Sequence, residues 1–152
     1  MTDMFAADGH EVPELDPALL AAYLATEVVD TSGLVLSGAG ALLEFAPTWV
    51  VTAENPFSQS RDHGTNNAAM AQLEQTVRAA GLVAVRLEGR APDRSWSERC
   101  WGVQGATRGV VCSWGRAHSQ HAVFLLTETE HVVVSCWTGE ILARRPRVLD
   151  VV

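Results

Sequence analysis

The chain has 152 residues, 47% of them hydrophobic and 19% charged, and its 18 acidic side chains outnumber 11 basic ones for a formal net charge of −7. That length suits one domain around one core, and no apolar run approaches the roughly 20 residues needed to cross a bilayer as a helix. The acidic balance argues against general nucleic-acid binding, which depends on Lys and Arg displacing counterions from phosphates.

Residues 1–15 are acidic, carry Gly and Pro, and show no period, so they read as a flexible tail. They lack the positive and apolar regions of a secretory signal, and the expected location is the cytoplasm. Asp16 and Pro17 are a favoured helix cap and first residue, and Leu19, Leu20, Tyr23 and Leu24 follow at helical spacing. Glu27 to Asp30 and Leu34 to Ser37 predict a hairpin around Thr31-Ser32-Gly33. GAGALLEFAP, residues 38–47, reads as a helical turn or a packed loop. A strand of β-formers from Thr48 to Ala53 runs out into the polar loop ENPFSQSRDHG.

A helix is expected to begin at Asn66 or Asn67, because Met70, Leu73, Val77 and Ala80 form an apolar stripe that Gly81 stops. Strands follow at Leu82–Leu87 and Glu98–Val103, separated by a Gly, Pro and Asp loop. Ala106, Val110, Val111, Trp114 and Ala117 trace a second helical stripe. Ala122–Thr127 and His131–Cys136 make a hairpin through Glu128-Thr129-Glu130. The Arg-rich end around Pro146 is an edge strand or a tail. The expected division is a tail at 1–15, one α+β domain at 16–137 and a C-terminal extension at 138–152.

From Trp49 onward the order is strand, helix, strand, strand, helix, strand, strand. Its first six elements fit a ferredoxin-like split βαβ antiparallel sheet covered by two helices, here with an N-terminal helix and a β-hairpin extension. In that topology three polar loops meet at one edge. They bring Asn55, Ser58, Gln59, Asn67, Trp96, Glu98, Arg116 and Gln120 together as candidate ligand-binding residues.

The N-terminus of the Asn67 helix and the guanidinium of Arg116 would suit a phosphate or carboxylate, although no P-loop is present. Glu98 beside Trp96 is the candidate catalytic acid or base, because apolar surroundings disfavour its charged form; a salt bridge to Arg116 is the structural reading of the same residue. His63, His118 and His121 at a metal, and Ser58 with His63 as nucleophile and base, are weaker constellations. Cys100, Cys112 and Cys136 lack any CxxC pair and read as buried thiols in a reducing compartment. No cofactor or metal is called for.

TAENPFSQ, followed by Asn66-Asn67 and a helix, then Trp-Ser-Glu at 96–98 and the Gly115-to-Phe124 stretch GRAHSQHAVF, resembles the bacterial family known as domain of unknown function 3293. The resemblance covers most of residues 17–136. Glu54 stands where the family usually has an aromatic, and Ser119 where it tends to have Gly. The resemblance implies importance for these residues and no particular reaction.

The expected function is binding of a small anionic or nucleotide-like ligand at the polar sheet edge, with Glu98 available for acid–base chemistry. The alternative is a non-catalytic protein-interaction or regulatory module that docks a protein partner or a second copy of itself.

Overall fold

The computed structural model describes residues 12–37 and 47–147. Most of the expected tail, nearly all of GAGALLEFAP and residues 148–152 lie outside the described residues. Among the described residues three α-helices and seven strands form an α+β domain on one curled antiparallel sheet. Helix α1 is Pro17–Ala25, α2 His63–Ala79 and α3 Arg108–Ala117. The strands are β1 Glu27–Asp30, β2 Thr48–Val51, β3 Val85–Arg90, β4 Ser97–Gln104, β5 Ala122–Leu126, β6 Glu130–Ser135 and β7 Ile141–Pro146.

Across the sheet the order is β1-β3-β4-β2-β5-β6-β7, and every neighbouring pair is antiparallel. The expected first hairpin is much reduced. Asp30 Oδ1 accepts from Ser32 N and Leu34 N to make the turn, but the return meets β1 through one isolated bridge, Val29 to Val35, and a bond from Val28 N to Ser37 Oγ at 2.9 Å. β1 pairs along its length with β3 instead. The Arg-rich end is an edge strand, β7, paired to β6.

Strand alternation sends Trp49, Val51, Trp101, Val103, Val123 and Val134 to one face. There they meet Met70, Leu73 and Val77 of α2 and Val111, Cys112 and Trp114 of α3 in one buried cluster. Full burial of a side chain such as Leu73 contributes roughly 1.5–3 kcal/mol. α3 approaches so closely at Gly115 that any Cβ there would collide with Cys136 Sγ. Trp101 Nε1 donates to Met70 O at 3.0 Å and fixes α2 along the sheet.

α2 begins three residues before the expected Asn66, although His63, Gly64 and Thr65 are weak interior helix formers. Asp62 caps it by accepting from Thr65 N at 2.8 Å. β3 starts later than expected, at Val85, because Gly81 and the residues after it complete the turn out of α2.

The other face carries Val28, Val50, Leu87, Cys100 and Leu126, with Phe124 packed against them. α1 lies on this side against β6 and β7. Asp16 caps it by accepting from Leu19 N at 2.8 Å. Its sequence PALLAAYLA is almost wholly apolar, yet none of its residues is fully buried. Polar tethers fix it: Arg145 Nε donates to Leu24 O at 2.6 Å, and the Tyr23 hydroxyl meets Ser58 Oγ at 2.8 Å.

Candidate functional site

Glu98 is the second residue of β4, and alternation turns it to the α1 side together with Cys100, while Arg99 and Trp101 face α2. Its cross-strand partner is Gly89, which leaves open space opposite the carboxylate. That space is a cavity in two parts. An inner chamber of about 40 Å³ reaches toward Val50, Cys100 and Phe124. An outer chamber of about 250 Å³ opens beside Leu19, Ala22 and Asn55. Tyr23, Ser58, Trp96 and Glu98 line both.

The loop after β2 is held in an unusual shape. Asn55, Phe57 and Ser58 all have positive φ, at 47°, 51° and 61°. Each such non-glycine conformation costs about 1–3 kcal/mol and persists only where neighbours impose it. Here Asn55 N donates to Asn66 Oδ1 at 3.1 Å, and Asn66 Nδ2 returns a bond to Asn55 Oδ1 at 3.0 Å. Arg61 Nε also donates to Asn66 Oδ1, at 2.8 Å. Phe57 N donates to Ser119 O at 2.8 Å, tying this loop to the α3–β5 turn, and the Phe57 ring lies 4.9 Å from that of His121.

Burial, and then the nearby charge of Glu54, push the Glu98 carboxyl up to about 7, against a smaller lowering by Asn55. Asn55 Nδ2 donates to Glu98 Oε2 at a long 3.4 Å. Glu54 is itself buried and paired with Arg99 Nε. Burial raises the Tyr23 hydroxyl to about 12, so it stays protonated as a donor. A carboxyl that titrates near neutrality, beside a phenol, a hydroxyl and a half-buried indole, can accept or release a proton within hydrogen-bond reach of a small molecule.

Ser58, Trp96 and Gln120, from three separate loops, share the inner chamber with Glu98 of β4, and Asn55 lines the outer one. Gln120 is buried, its Nε2 donating to Glu54 O at 3.0 Å and to His118 O at 3.2 Å. Three others lie elsewhere. Gln59 is exposed and lines neither chamber. Asn67 is on the α2 side, where its Oδ1 accepts from Arg99. Arg116 does not reach Glu98 as a salt-bridge partner; its Nη1 donates to Cys136 O at 2.6 Å, a carbonyl just past the end of β6.

Ser58 meets Tyr23 and has no hydrogen bond to His63, which opens α2 and is exposed. Among the described residues no three His, Cys, Asp or Glu side chains gather as a metal set, and no helix is long and apolar enough to cross a membrane. Tyr23 and Asn66 were missed from the sequence as site residues. Asn66 lay in a conspicuous Asn-Asn pair. Nothing local to Tyr23 marks it, since its contacts come from segments far along the chain.

The family described as "Protein of unknown function (DUF3293)" matches residues 51–123. No curated protein and no solved structure matches the chain. The matched stretch runs from the end of β2 into β5 and contains Asn55, Ser58, Trp96, Glu98 and Gln120, leaving Tyr23 outside. Over those residues the chain is similar to the DUF3293 family.

Proposed function

We propose that the protein binds a small polar organic ligand in this two-chambered cavity and that Glu98 gives or takes a proton there. The observation that carries the reading is the meeting of three loops around a carboxyl held near neutrality. The strained, cross-braced loop at Asn55 to Ser58 supports it, because such strain concentrates at functional sites. The anionic ligand expected from the sequence fits poorly, since none of the described residues lining either chamber is basic. A nucleotide-like ligand would enter through its heterocycle rather than its phosphates.

We also read β2-α2-β3-β4-α3-β5 as a ferredoxin-like split βαβ unit. The central order β3-β4-β2-β5 and the shared cluster under both helices support this, with β1 and β6–β7 added at the flanks. We retain the cytoplasm as the proposed location.

Titration of the labelled protein with small polar metabolites, followed at the Trp96 indole resonance, tests the ligand site. Saturable shifts that Asn55→Ala and Gln120→Ala weaken are expected. Affinities unchanged in both variants for every bound metabolite would overturn the assignment.

One observation favours the second reading, a non-catalytic interaction module. β7 is an open edge strand that begins with the exposed pair Ile141 and Leu142. A stoichiometric partner from the native host, lost on Leu142→Arg with the cavity intact, would favour it.

A further inference from the structure

We infer that the ligand of this cavity is a small organic amine bound as its cation, with Glu98 as counter-ion; the inference rests on the reading of the cavity as a ligand site. Among the described residues Glu98 is the only acidic one lining either chamber, and no Arg or His lines them. The cations of the surrounding loops are committed elsewhere. Arg61 donates to Ala53 O and Asn66 Oδ1, Arg116 to Cys136 O, and Arg99 to Glu54 and Asn67.

The Glu98 carboxylate can accept about four hydrogen bonds, and the side-chain donor placed on it is Asn55, at 3.4 Å. Ionised in this place it is short of partners. An ammonium group brings three donors and a compensating charge, and Ser58 Oγ lies on the same wall to accept another of its hydrogens. Trp96 and Tyr23 line both chambers, and aromatic faces attract cations. The inner chamber, at about 40 Å³, has room for an ammonium head and a few atoms beside it. The organic body must therefore extend into the outer chamber of about 250 Å³, between Trp96 and the Leu19 and Ala22 side of α1.

Benzylamine, benzyl alcohol and benzoate are near-isosteric probes that differ in charge. Each is titrated at mildly alkaline pH into the full chain and into Glu98→Gln and Glu98→Asp, with the Trp96 indole and Ser58 amide resonances as readout. Benzylamine is expected to bind at least about tenfold more tightly than benzyl alcohol, and benzoate more weakly still. Glu98→Gln should lose that preference and Glu98→Asp should keep part of it, so a failure of the Gln variant to fold leaves the Asp variant and the probe series as the test. Equal or tighter binding of the alcohol or the benzoate, or an amine preference that survives Glu98→Gln, overturns the amine assignment and leaves the cavity reading standing. Absence of any shift at Trp96 with all three probes overturns both.

Discussion

Asn66 and Asn55 hold each other by two reciprocal hydrogen bonds, at 3.0 and 3.1 Å, joining the first turn of α2 to the strained loop after β2. Asn66 is buried, so its amide cannot turn to water in place of Asn55. Asn66→Ala should cost about 1–3 kcal/mol, the penalty for leaving buried polar groups unpaired. Urea denaturation measures this. A loss well under the range would mean that the loop's conformation is held by other contacts.

Glu98 gives the protein a pH signature that Glu98→Gln should erase. Its carboxyl is raised from an ordinary 4.5 to about 7, so between those values the folded state holds a proton that the unfolded state has released. Its contribution is therefore complete below about 4.5 and lost as pH rises through 7. Glu98→Gln should be more stable than the parent above pH 7, by up to a few kcal/mol, while any acid–base activity falls by roughly 10²–10⁴-fold. Melting curves across pH, beside binding or activity assays, check both. A lower melting point with ligand affinity unchanged would identify Glu98 as a structural carboxyl.

His131 should produce the opposite slope. It is 0% exposed, packs 4.9 Å from Phe124, and neither ring nitrogen has a hydrogen-bond partner. Burial, then the charge of Arg145, lowers it from 6.5 to about 4; Arg147 adds to the effect and a contact with the Tyr23 backbone opposes it. The stability gained from keeping it neutral is full above 6.5 and lost as pH falls through 4. His131→Leu should match the parent or exceed it by about 1 kcal/mol at neutral pH and flatten the acid limb of the melting profile. An unchanged acid limb would place the acid sensitivity in another group.

Gly115→Ala should destabilise the protein by about 1–3 kcal/mol through overpacking, because the new methyl has no space beside Cys136 Sγ and Val123 Cγ1. Chemical denaturation of this variant and of Gly109→Ala, where a Cβ meets nothing within 4 Å, makes the comparison. Equal losses would show that helix backbone effects dominate over the clash.

Elements with a long, clean period were legible from the residues. Met70, Leu73 and Val77 mark α2 because burial of one face repeats at the helical period, and Trp49 to Val51 mark β2 as a run of β-formers buried on both faces. Boundaries set by a single cap were less so, as at Asp62. The loop convergence followed from topology and so brought Ser58, Trp96, Glu98 and Gln120 together. Arg116 and Asn67 were placed at that edge by their charge and by a helix start assigned too late, and side-chain direction sends both elsewhere. Pairing of β1 with β3, like the part of Tyr23, depends on segments distant in sequence, and local propensity carries no record of them.

The two arginines at the end of the described chain have a bearing on the order of biosynthesis. Arg145 reaches back 121 residues to Leu24 O, and Arg147 reaches 111 to Leu36 O. Since α1 has no fully buried side chain of its own, it cannot be secured when it leaves the ribosome. Among the described residues, the first helix waits for the last strand. Contacts of such long sequence separation form late, so β7 acts as the closing stitch for the wall of the chamber that α1 supplies. A chain ended after Glu140 should show fast amide exchange throughout α1 while α2 and α3 stay protected, and protection of α1 in that shortened chain would show that the helix docks without the stitch.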